Sequence, residues 1–188
     1  MVGVKLNKVV SLKGNAQPDI EKKAQELLDL HELNQVPVNL YELCDRLNIT
    51  VSNVKFKEYK DDYIMGAIKK ESNDNIKIYI NKNDSINRKR FTMAHEIGHY
   101  TLGHLGEHRQ LMTLARRDGY NTDNIYERQA NQFAAALLMD KNKLEKEYKE
   151  LKELRVSSST TVSILARIFS VSEQAMTFRL INLGLING

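Results

Sequence analysis

The stretch that most constrains this 188-residue chain is Phe91-Thr92-Met93-Ala94-His95-Glu96-Ile97-Gly98-His99, which carries the pattern H-E-x-x-H. Residues four apart lie on one face of an α-helix. His95 and His99 can therefore offer imidazole nitrogens to one metal ion, with Glu96 beside them to handle protons. Zinc suits such a site, because imidazole is a borderline-soft ligand and zinc accepts a tetrahedron with one position left for water. Water held there is acidified, so a carboxylate such as Glu96 can take its proton near neutral pH. Four of the five histidines fall between His95 and His108, and such clustering of a scarce ligand type favours metal.

A catalytic zinc needs a third protein ligand. The extended pattern H-E-x-x-H-x-x-G-x-x-H is not met, since Tyr100-Thr101-Leu102-Gly103-His104 puts the glycine and the histidine out of register. His104 reads instead as a histidine at a helix end beside a Gly103 C-cap, where its charge suits the dipole. A second helix, Thr122 to Met139, is the other source of a ligand. Its apolar face runs Ile125, Ala130, Phe133, Ala134, Leu137, Leu138. Glu127 and Asn131 sit four apart near its start, an arrangement in which one group binds metal and the other hydrogen-bonds a ligand histidine. The plainer alternative is a solvated Glu and a polar Asn at the rim of a core helix.

Arg90-Phe91-Thr92-Met93-Ala94-His95-Glu96-Ile97-Gly98-His99-Tyr100-Thr101-Leu102-Gly103-His104, followed by Glu127-x-x-Ala130-Asn131-x-Phe133-Ala134-x-x-Leu137-Leu138-Met139, resembles the ImmA/IrrE family of zinc metallo-endopeptidases. The resemblance implies that His95 and His99 bind Zn2+, that Glu127 is the third ligand and that Glu96 is the general base. It also implies a protein substrate, often a helix-turn-helix repressor encoded nearby, whose loss relieves repression under stress or in mobile elements. One departure is visible: a proline often follows Leu-Leu-Met in the family, and Asp140 stands here. Asp is a good helix N-cap, so the next helix start is kept.

Hydrophobic residues at 41% and charged ones at 28% are an ordinary globular mix. No run is long enough for a signal peptide or a membrane span. The single Cys44 cannot form an internal disulfide and lies on an apolar helix pattern, so an inert buried thiol and a cytoplasmic home are expected. The net charge of +4 permits nucleic acid but does not demand it.

Along the chain, residues 1 to 17 show no period. Pro18 suits a first helical turn, and Ile20, Ala24, Leu27 and Leu28 mark a helix to about Leu30. Val36-Pro37-Val38 is an extended connector. Asn39 with Glu42 resembles a capping box for a helix Leu40 to Leu47 ended by Asn48. Ile49 to Phe56 (with an irregularity after Val51), Tyr63 to Lys70 and Ile76 to Ile80 read as three short antiparallel strands, with turns at Asp61-Asp62 and Asn73-Asn75. An edge strand beside the metal cleft can hold substrate as an added strand. Asn83-Asp84-Ser85 caps the helix from Ile86 to Leu102, where Arg88, Lys89 and Arg90 form a solvated basic face. Gly98 inside it implies a close backbone approach. Residues 106 to 121 have no period. Tyr100, Tyr120, Tyr126 and His108 are candidate transition-state donors.

Asp140 to Leu154 is a charged amphipathic helix with Leu144, Tyr148 and Leu151 on one stripe. Thr161 to Phe169 and Ser172 to Gly184 have the outline of a helix-turn-helix, held by Ala166, Val171, Ala175 and Leu180. The second helix opens Ser172-Glu173-Gln174, and only Arg167 and Arg179 add positive charge. DNA binding is therefore possible but not favoured. Docking a partner or completing the core is expected instead, with Phe169, Met176, Phe178, Leu180 and Ile181 as the apolar contributors.

The expected architecture is α+β: a zincin-like catalytic helix pair on a small antiparallel sheet. Residues 1–155 make the metallopeptidase domain with its N-terminal helices, and 156–188 a helix-turn-helix-like region packed on it. The expected activity is zinc-dependent endopeptidase. The alternative is a DNA-binding or repressor-binding regulator whose zinc site is not catalytic.

Overall fold

A computed structural model describes residues 19–56, 64–71, 75–105, 113–116 and 125–187. The expectations for residues 1–18, the Asp61-Asp62 turn, most of the Asn73-Asn75 turn and Thr122–Asn124 lie outside these. The architecture is α+β. Helices α1 (Ile20–Leu30) and α2 (Leu40–Arg46) precede strands β1 (Ile49–Val54), β2 (Ile64–Lys70) and β3 (Ile76–Asn81). Helix α3 (Ile86–Thr101) follows, then β4 (Thr113–Arg116), α4 (Ile125–Leu138), α5 (Lys141–Glu153), α6 (Ser158–Phe169) and α7 (Glu173–Asn182).

Most helices start where a short polar side chain can accept a hydrogen bond from an otherwise unpaired amide. Asp19, Asn39, Ser85, Asp140, Ser157 and Ser172 do so for α1, α2, α3, α5, α6 and α7. Asn48 ends the turn after α2 in the left-handed region (φ +55), which Asn tolerates better than most residues.

The four strands are ordered β1-β3-β2-β4, and the sheet is mixed rather than antiparallel throughout. β2 pairs antiparallel with both β3 and β4, but β1 runs parallel to β3 in unbroken register from Ile49–Ile76 to Val54–Asn81. The irregularity expected in the first strand is absent, and Phe56 lies outside it. The irregularity falls instead between Ile64 and Gly66 in the β2–β4 pairing. Alternation marks which side of a strand is buried but carries no strand direction. The β4 segment has no alternation long enough to be noticed.

Helix α3 is sandwiched between the sheet, at β2 and β3, and α4, while α1 packs on α4 and α2 on α3. One hydrophobic cluster runs through the whole assembly, including Leu28, Ile68, Ile78, Ile97, Phe133 and Leu137, with Phe169, Met176 and Leu180 of the last two helices. The C-terminal pair is thus built into the core. Phe178 departs from expectation: it is 58% exposed, so its truncation will not test core packing. Cys44 is buried, and burial, then the charge of Asp45, pushes its thiol up to about 12, which leaves it inert.

Polar contacts fasten the same junctions. Asn87 donates to the Val171 carbonyl (3.0 Å), and Arg90 to the carbonyls of Ser170 (3.1 Å) and Val38 (3.0 Å). Arg88 pairs with Asp84 at 3.3 Å. Of the expected solvated basic face, Arg90 is therefore an internal fastening, whereas the Arg88 side chain stays 42% exposed. Arg179 is 4% exposed; it donates to Met139 O (3.1 Å) and, through both terminal nitrogens, to Glu21 (2.5 and 2.8 Å). Glu21→Ala strands this buried guanidinium. The expected loss is about 2–3 kcal/mol, below the roughly 3–5 kcal/mol of a fully buried pair, because the Glu21 side is partly solvated. Urea denaturation checks it, and an unchanged midpoint would show that the pair does not fasten α7 to α1.

Candidate metal centre

Eight consecutive residues of α3, Thr92 to His99, are buried, because this helix is covered on opposite sides. The side toward α4 depends on Gly98. A Cβ there would stand 3.2 Å from Ala130 O and from Cβ and Cδ1 of Phe133. This close approach brings the start of α4 over His95 and His99. Gly98→Val forces the helices apart, and the overpacking should cost roughly 1–3 kcal/mol although it removes a glycine from a helix interior. Zinc affinity should fall with it. Equilibrium denaturation and zinc titration of the variant measure both, and wild-type values would contradict the spacing argument.

Across this contact, His95, His99 and Glu127 form a group whose ligand atoms all lie within 4.8 Å of one another. The two Nε2 atoms are 3.0 Å apart. His95 Nε2 is 3.2 Å from Glu127 Oε2, and His99 Nε2 is 3.3 Å from Glu127 Oε1. Ligands about 2.0–2.1 Å from a tetrahedral ion stand roughly 3.3 Å from each other, so the three groups fit a zinc-sized cation. His95 Nδ1–H donates to Asn131 Oδ1 at 3.0 Å, because an amide oxygen only accepts. That hydrogen bond leaves the His95 Nε2 lone pair aimed at its neighbours, in position to bind a cation.

The electrostatics agree. Burial works to raise the Glu127 carboxyl, but close contacts with His95 and His99 outweigh it and hold the group well below the usual range. Burial lowers His99 despite Glu127, favouring the neutral imidazole that binds metal. Glu96 goes the other way: burial first, then the charge of Glu127, pushes it well above the ordinary carboxylate range. Both its oxygens are buried and meet no hydrogen-bond partner among the described residues. Strand β2 contributes to this confinement. A Cβ at Gly66 would overlap Thr92 Cγ2 and come within 3.6 Å of Glu96 Oε1.

His104 was not legible as part of this cluster. It is not a charged residue capping a dipole: burial, and then the charge of His99, lowers it to about 4. Its Nδ1 lies 3.1 Å from His99 Nδ1 and its Nε2 lies 3.1 Å from Gln129 Oε1. Of the four candidate transition-state donors, Tyr120 and His108 lie outside the described residues. Tyr100 packs partly buried against the core, and Tyr126 is exposed with its ring 4.9 Å from that of His104.

A helix bearing H-E-x-x-H, sandwiched between a small sheet and a helix that supplies a carboxylate, is the plan of a metallopeptidase-type domain. The chain belongs to the Peptidase_M78 family, the IrrE N-terminal-like domain, whose model matches residues 44–181. No curated protein matches the sequence. Among solved structures, a Mycobacterium tuberculosis transcriptional regulator shares the fold with a TM-score of 0.56 at 16% identity, over 88% of this chain and 47% of that one. The present chain thus spans about half the length of that relative. Among the described residues no helix is long and apolar enough to cross a membrane.

Proposed function

We propose that this protein is a zinc-dependent endopeptidase acting in the cytoplasm on a specific protein. The observation that carries the reading is the buried Glu96 carboxylate, without a hydrogen-bond partner among the described residues and beside three converging ligand groups. A site that only held a metal for stability would have no use for it. His95, His99 and Glu127 would hold the ion, with Asn131 orienting His95. When bound, zinc supplies a Lewis acid and brings the pKa of a coordinated water to near 7. Glu96, with its affinity for protons raised by burial, is suited to take a proton from an attacking water and deliver it to the departing amine. Gly66 on β2 lies beside the carboxylate, where a Cβ would come within 3.6 Å of Glu96 Oε1. Strand β4 is the sheet edge next to β2, and a substrate segment adding along it would run as an extra strand.

In this reading residues 1–155 form the catalytic unit and residues 156–188 a helix-turn-helix-like module that docks the partner or braces the core. The substrate is a helix-turn-helix repressor, cut to relieve repression in a stress response or a mobile element. Incubating the purified chain with the repressor encoded nearby, with and without a chelator, tests it. Chelator-sensitive fragments are expected, and an intact repressor under zinc-replete conditions rejects this substrate.

The second reading is a DNA-binding regulator, and the Mycobacterium tuberculosis transcriptional regulator that shares the fold is what keeps it in view. Helix α7 argues against it. Arg179, one of only two cations in the module's helices, is buried and paired with Glu21. Phosphate contacts release counterions and make binding steeply salt-dependent. A DNA titration at two salt concentrations should show weak binding without sequence preference. Tight, selective, salt-sensitive binding would promote the regulator reading.

A further inference from the structure

We propose that His104 and Gln129 form a positioning relay that holds His99 as its Nδ1–H tautomer and so directs Nε2 to the metal. The proposal rests on the metal-centre reading. Its origin is local. Gly103 is left-handed (φ +77), and His104 N–H and Gly103 N–H return to the carbonyls of His99 (2.9 Å) and Tyr100 (3.1 Å). This is a Schellman turn, in which the residue after the glycine packs on the residue a turn earlier, usually through an apolar contact. Here both positions are histidine, and their Nδ1 atoms meet at 3.1 Å.

Two nitrogens at that distance need one proton between them, and the outer partner decides its owner. The amide oxygen of Gln129 faces His104 Nε2 at 3.1 Å and can only accept. His104 therefore carries its proton on Nε2 and presents a lone pair at Nδ1. That lone pair accepts from His99 Nδ1–H, and the His99 lone pair is left on Nε2, the atom facing Glu127 and His95. Tyr126, with its ring 4.9 Å from the His104 ring, holds the plane of the relay from outside. Because Gln129 lies two residues from Glu127 on α4, the helix that brings the carboxylate also sets the tautomer of the histidine it joins. The Asn131–His95 contact does the same for the other imidazole directly.

The test is zinc affinity by chelator competition on the full chain, with His99 ¹⁵N shifts as a second readout. His104→Phe keeps a ring against Tyr126 but removes the acceptor, and affinity should fall about 10–100-fold, as for other outer-shell partners. His104→Asn puts an amide oxygen where Nδ1 stood and should recover most of that loss, which a purely steric role would not allow. In the zinc-loaded wild type, His99 should show a protonated Nδ1 and a metal-bound Nε2. Wild-type affinity in His104→Phe, no recovery in His104→Asn, or a His99 bound through Nδ1 each overturns the relay. If His104→Phe does not fold, the wild-type spectrum decides alone. A wild-type chain that binds no zinc overturns the centre itself, an outcome distinct from failure of the relay.

Discussion

Glu96→Gln is expected to leave the chain folded and zinc bound while proteolysis falls by on the order of 10² or more, the scale of a positioned proton-transfer group. The amide matches the carboxylate in shape, so its fit beside Gly66 is kept. It also removes a buried ionisable group whose charged form is disfavoured by its surroundings, so the variant should be at least as stable as wild type. What it loses is the capacity to take a proton. The measurements are zinc content, melting temperature and the rate of partner cleavage, made on the same preparation. Cleavage at the wild-type rate would show that Glu96 is not the base. Lost zinc would instead mean that the residue supports the ligands, and the enzyme reading would then need another proton acceptor.

The second large effect is expected at Glu127. It alone among the three grouped residues comes from α4, and its two oxygens meet the two imidazoles separately, at 3.2 and 3.3 Å. Glu127→Ala removes the one carboxylate of this group and leaves the two imidazole Nε2 atoms facing each other 3.0 Å apart. Zinc affinity should drop by more than the roughly 10–100-fold typical of an outer-shell partner. Asn131→Ala provides the comparison, because it withdraws only the acceptor behind His95 and should fall within that smaller range. Titration against a competing chelator ranks the two. Stoichiometric zinc in Glu127→Ala would remove this residue from the ligand set, and equal losses in the two variants would mean that Glu127 orients a histidine and does not bind metal.

Much of this molecule was legible in its sequence because the forces concerned act within about one helical turn. Asn39, Ser85, Asp140 and Ser172 accept from amides three residues ahead, and spacings of three and four place Phe133 and Leu137 on one buried side of α4. The same rule puts His95 and His99 together. Gly98 could be flagged as a close approach but not assigned its neighbour, and Glu127 and Asn131 could be paired but not ranked without a family resemblance.

What only the tertiary structure decided involves partners far apart in the chain. A strand's alternation is blind to direction, so the parallel pairing of β1 with β3 could not be read. Helical periodicity places Phe178 and Arg179 side by side without saying which faces inward. Arg179 is the buried one because Glu21, 158 residues away, and the Met139 carbonyl satisfy its charge and donors, whereas Phe178 is left 58% exposed. His104 was misread for the same reason. The glycine turn that folds it onto His99 is local, but its protonation is set by burial and by Gln129 on another helix. Backbone conformation follows from near neighbours, while charge state and facing follow from whichever groups the completed fold brings into contact.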